Sequence, residues 1–134
     1  MVRIVIAVVL LAHGIGHSMG LLGVFKIATI NPAWNGDSWL LSGLVGTTAS
    51  QALGVVLWCV AMIGFAALAA VTMGWLPTAW WPPIAVVSAT ASLLGILMFP
   101  AAFPAFSVIG AVVVDLAVLV AAGYLHWLPT ELAA

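Results

Sequence analysis

The sequence predicts an all-α protein, a polytopic transmembrane four-helix bundle, and three observations carry that reading. Of 134 residues, 66% are hydrophobic and 4% are charged, two basic and three acidic, so a water-facing surface cannot be assembled from them. Apolar runs of about 20 residues suit helices that cross a hydrocarbon layer roughly 30 Å thick, and four fit along the chain. The turn-forming residues fall between these runs rather than within them. Four crossings occupy nearly the whole chain as a single domain, 1–134. The short, almost uncharged loops leave no soluble catalytic head and no surface for nucleic acid.

The first crossing is expected over about 2–25. Arg3 before an apolar run resembles a secretory signal, but the run continues to Phe25 without a small-x-small cleavage site, so a retained helix is expected. Arg3 and Lys26 read as snorkelling anchors at its two ends. Asn31-Pro32 and Asn35-Gly36 then signal turns. A single helix from Ser38 to Met73 would be about 54 Å long, more than one crossing requires. Asp37 or Ser38 could instead cap a short interfacial helix over about 38–48, with a bend near Gly46, Thr47 and Thr48 before a second crossing over 50–73. One long, tilted helix is the alternative. Pro77 and Pro82-Pro83 separate this crossing from the third, 81–99, and Pro100 with Pro104 separates the third from the fourth, 105–127. Trp34, Trp39, Trp75, Trp80, Trp81 and Trp127 fall near helix ends, where amphipathic rings meet headgroups. Trp58 is the exception. Cys59, the single cysteine, reads as a small buried packing residue with no disulfide to form.

The combination of "AHGIGH" in the first helix, "GVVLWCVAMIGF" in the second, "WWPPIAVVSATASLLGILMFP" as the third and "GAVVVDLAVL" in the fourth resembles a broad group of small, uncharacterised bacterial four-helix membrane proteins. The resemblance spans most of the chain and implies architecture. It also implies the bacterial inner membrane, although asparagine would be expected where this sequence has Asp115. An even number of crossings puts both termini on one side with Arg3, while Lys26 lies on the other, so the positive-inside rule has little to count; cytoplasmic termini are the expectation.

His13 and His17 are four residues apart and share one helix face. Gly16 and Gly20 lie on the same stripe, so a neighbouring helix is expected to pack closely there and turn the histidines into the bundle. Matching small faces occur at Ser88, Ala91, Ser92 and Gly95 on the third helix, and at Ala111, Asp115, Val118 and Ala122 on the fourth. With each helix centred in the bilayer, a rise of about 1.5 Å per residue places Asp115 between His13 and His17 in depth. A cluster of His13, His17 and Asp115 forms if the first and fourth helices adjoin.

Such a cluster admits several uses. Bonds among the histidines, Asp115, Ser88 and Ser92 could simply fix helix order. Two histidines and an aspartate also make a three-ligand set for a divalent metal, zinc or iron, with an open position. Gly14, Ile15 and Gly16 between the histidines lack the glutamate of HExxH proteases. His126 lies near the surface, too distant in depth to share a haem with His17. Intramembrane histidine and aspartate also suit proton movement. Aromatic residues Phe65, Phe99, Phe103 and Phe106, with the methionines, could line an apolar pocket. Ser18 next to His17 points about 100° away on a helix, a poor arrangement for nucleophilic catalysis. The functional expectation is a small ligand, proton or metal held inside the bundle. The alternative is a structural or accessory subunit that packs against lipid, a second copy or a larger membrane complex.

Overall fold

The computed structural model describes residues 1–129; Glu131, which the sequence alone reads as part of a solvated tail near the membrane surface, lies outside them. Six α-helices follow in order: α1 (Val2–Gly16), α2 (Ser18–Val24), α3 (Leu41–Val45), α4 (Thr47–Thr72), α5 (Trp81–Met98) and α6 (Ala105–Leu119). Four stretches are long and apolar enough to cross a membrane: Val2–Val24, Thr47–Thr72, Thr78–Met98 and Ala105–Tyr124. The protein is therefore a transmembrane four-helix bundle.

Local chemistry explains where the elements stop. The first crossing tightens by one hydrogen bond at His17, whose N–H donates to the carbonyl of Gly14 at 3.1 Å, and α2 continues in nearly the same direction. Gly46 divides α3 from α4 with φ at +85°, a left-handed conformation that glycine enters without steric cost. Ser38 organises the start of α3, because its hydroxyl accepts from the N–H of Leu41 while its own N–H donates to Oγ of Ser42. Pro82 and Pro83 open α5, where their missing N–H groups need no partner. The fourth crossing ends in a π-helical turn, Val120–Tyr124.

Hydrogen bonds between loops fix the topology. The side chain of Asn31 donates to the carbonyl of Ala101 at 2.8 Å, and Ser38 to that of Met98 at 2.7 Å, so the long first loop covers the turn between α5 and α6. At the opposite end Arg3 donates to the carbonyl of Pro129, and Trp81 stacks edge-on against Trp127. Both ends of the described chain thus lie on the same side.

The core has two apolar clusters. Phe65, Leu68, Val71, Trp81 and Ala85 pack toward the termini, and Trp58, Ile96, Phe99, Ala102 and Phe103 pack toward the first loop. Trp58 is completely buried because Gly20, Gly54 and Gly95 leave room for its indole from three helices. Cys59 departs from expectation in being only half-buried, since it sits beside the core-facing Trp58 on α4. The helix contacts are uneven: α4 packs extensively against α1 and α5, and α6 packs along α5, but α1 and α6 barely meet. That gap shapes the site.

Candidate functional site

Four polar side chains converge between the two apolar clusters. His13 projects from α1, His17 from the joint between α1 and α2, Ser92 from α5 and Asp115 from α6. Their positions follow from helical spacing, because the histidines are one turn apart and Ser92 occupies the small face of α5. The carboxylate of Asp115 is fully buried, which would be costly without partners. Both of its oxygens have one. His13 Nε2 lies 2.9 Å from Oδ1, and the Ser92 hydroxyl donates to Oδ2 at 2.5 Å. Ser92 Oγ also meets His17 Nε2 at 2.9 Å and stands 3.4 Å from His13 Nε2. The result is a continuous network, His13–Asp115–Ser92–His17, whose hydrogen bonds end at the two imidazoles.

Aromatic rings hold both imidazoles in place. His13 sits edge-on to Phe65 with centroids 4.4 Å apart, and His17 edge-on to Phe103 at 6.0 Å. Nδ1 of His17 is buried and has no hydrogen-bond partner among the described residues.

The geometry brings the expected set of His13, His17 and Asp115 together around a serine hydroxyl. His13 Nε2, His17 Nε2 and Asp115 Oδ2 all stand around Ser92 Oγ, at 3.4, 2.9 and 2.5 Å, so the serine hydroxyl occupies the point that the three groups share. Among the described residues, no group of three or more His, Cys, Asp or Glu side chains is arranged to hold a metal ion.

The glycine stripe needs correction. Gly20 does pack closely, since a Cβ there would fall 2.7 Å from the Trp58 ring. Gly16 does not: a Cβ would meet nothing within 4 Å. Gly14 makes the other close approach instead, with a Cβ site 3.0 Å from that of Phe65. The reason is that α4 covers the Gly14 side of the first helix, whereas α6 stands away from the Gly16 side. On α5, Gly95 packs against Trp58. Ser88 packs against Gly64 of α4 and donates to the carbonyl of Ile84 at 2.6 Å, so it stays outside the network.

Where α1 and α6 separate, a cleft of about 470 Å³ opens along the bundle. Its volume falls within the range of roughly 300–1,000 Å³ usual for small-molecule sites. His13, Gly16 and His17 line one side; Phe106, Gly110 and Ala111 line the other. Gly110 matches Gly16 in having open space where a Cβ would stand. Neither glycine is needed for helix packing, and both keep the cleft wide. Of the four phenylalanines expected at an apolar pocket, Phe106 and the core residue Phe103 line the cleft, while Phe65 and Phe99 serve the core alone. The spacing of the histidines and the position of Asp115 signalled the polar floor, but Gly110 gave no signal in sequence because its importance lies in what it does not touch.

Comparison with known protein families, curated proteins and solved structures gives no match.

Proposed function

We propose that the protein binds a small lipid-soluble molecule in the cleft between α1 and α6, with the polar end of that molecule meeting the His13–Asp115–Ser92–His17 network. The observation that carries this reading is an apolar cleft, kept open by Gly16 and Gly110, whose lining includes His13 and His17, the two imidazole ends of the buried network. Val9, Ala12, Phe106 and Gly110 are exposed along the cleft, so entry from the acyl-chain region needs no passage through water. The location is the bacterial inner membrane with cytoplasmic termini, a placement supported by Arg3 at the terminal end.

A second reading has its own support. Because α1 and α6 otherwise scarcely touch, the network also serves as a clamp between them, as a structural or accessory subunit would require. Native mass spectrometry of protein released from nanodiscs separates the two. The wild type is expected to carry an organic adduct that Gly110→Leu loses while remaining folded, since leucine fills the cleft without striking protein atoms near the Cβ. Equal adducts on both proteins, or none on either, would favour the clamp alone.

A further inference from the structure

We infer that the ligand carries a hydroxyl group, and that the cleft accepts a lipid-soluble alcohol or phenol whose O–H donates to Nδ1 of His17. This inference rests on the reading of the cleft as a ligand site and assigns the chemical class of its occupant. With Asp115 as the ionised acceptor, the protons of the network can be counted from its heavy-atom geometry. Ser92 has one hydroxyl hydrogen, and it is directed to Oδ2 of Asp115. The contact between Ser92 Oγ and His17 Nε2 at 2.9 Å must then use the hydrogen of Nε2. A neutral imidazole protonated there has a bare lone pair on Nδ1.

That lone pair belongs to a residue only 2% exposed, has no partner among the described residues, and lies on a side chain that lines the cleft. A buried acceptor without a donor is costly, and a ligand that supplies a donor recovers the loss. A carbonyl, ether or carboxylate would bring a second lone pair against the first. An ammonium group would donate, but its charge would have to be desolvated between apolar walls. A hydroxyl satisfies the acceptor without introducing charge.

The rest of the ligand follows from the walls. Val9 to Met19 spans about 15 Å of helix, and the opposing side from Phe106 to Val114 is apolar apart from Ser107. An elongated hydrocarbon body with one hydroxyl matches that lining. Aliphatic alcohols and alkylphenols share this chemistry.

The test compares farnesol with farnesal and farnesene, and adds an alkylphenol, using wild-type protein, His17→Phe and Gly110→Leu in nanodiscs. Affinities are read by titration, and nitrogen-15 NMR follows His17. Farnesol or the alkylphenol should bind about tenfold more tightly than farnesal and farnesene, the scale set by one donor to a buried acceptor. Whichever of the two binds more tightly identifies the hydroxyl source. The Nδ1 resonance should begin in the unprotonated range and move with the hydroxyl probes alone. His17→Phe should bind all probes alike. Probes that bind equally to wild type but are excluded by Gly110→Leu would overturn the hydroxyl assignment and leave the cleft reading intact. A protonated Nδ1, or tighter binding of farnesal, would overturn the assignment as well. Absence of any binding that depends on Gly110 would remove the cleft reading and this inference together.

Discussion

At the scale of single residues, Asp115 connects the fold to the site, because its two oxygens receive His13 of α1 and Ser92 of α5. Asp115→Ala leaves both donors buried without an acceptor and is expected to cost about 3 kcal/mol or more. Asp115→Asn keeps the shape and hydrogen-bonding capacity, so its expected cost is nearer about 1 kcal/mol. Thermal unfolding in mild detergent checks the order, and equal losses would mean that the carboxylate's contacts do not support the fold. The glycines supply a second comparison. Gly20→Leu drives a side chain into the Trp58 ring and should destabilise by about 1–3 kcal/mol, whereas Gly16→Leu enters the open cleft and should melt within a few degrees of wild type. Similar melting temperatures for these two variants would contradict the placement of α6 away from Gly16. The histidine spacing was legible in sequence because two imidazoles four residues apart must share a helical face. Which neighbouring glycine carries the close packing was not legible, because that depends on which side of the helix α4 occupies.

At the scale of elements, the junction between the first loop and α4 holds the carboxylate of Asp37 in a set of hydrogen bonds. The Thr47 hydroxyl donates to Asp37 Oδ1 at 2.6 Å, and the side-chain amide of Asn35 donates to Oδ2 at 2.8 Å. These bonds favour the charged carboxylate, with Thr47 the largest cause, and hold Asp37 below its ordinary value of 3.8. A depressed folded value contributes stability that is fully present above 3.8 and disappears as pH falls through the lower folded value. Acidification through that window should loosen the loop around Trp34, whose indole N–H donates to the carbonyl of Asp37, while the four crossings remain helical. Tryptophan emission should therefore change before far-ultraviolet dichroism does, and Thr47→Ala should move the emission change to higher pH. Coincident changes would contradict a local role for Asp37. The region between the first two crossings was ambiguous in sequence, since an apolar pattern does not distinguish a long tilted helix from two short segments. Gly46 with positive φ provides the break, but a glycine in sequence permits that conformation without requiring it.

At the scale of the whole molecule, the all-α transmembrane bundle was legible because so few charges leave only lipid as solvent and the apolar runs have the length of membrane-spanning helices. The unequal packing was not legible: small residues on α6 suggest contact, yet α6 follows α5 and leaves α1 exposed along the cleft. The loop contacts of Asn31 and Ser38 with the α5–α6 turn, and of Arg3 with Pro129, place the two ends of the described chain together. Reporter fusions at Met1 and Ala134 should therefore give the same sidedness; opposite sidedness would mean that one apolar stretch does not cross. The central claim concerns the space between α1 and α6, and it is tested most directly by a crystal structure of the wild-type protein grown from a lipidic mesophase. The expected result is density for a bound amphiphile lying between Gly16 and Gly110, with its polar end against His17. A structure with α6 closed onto α1 and the two glycines in contact would contradict it.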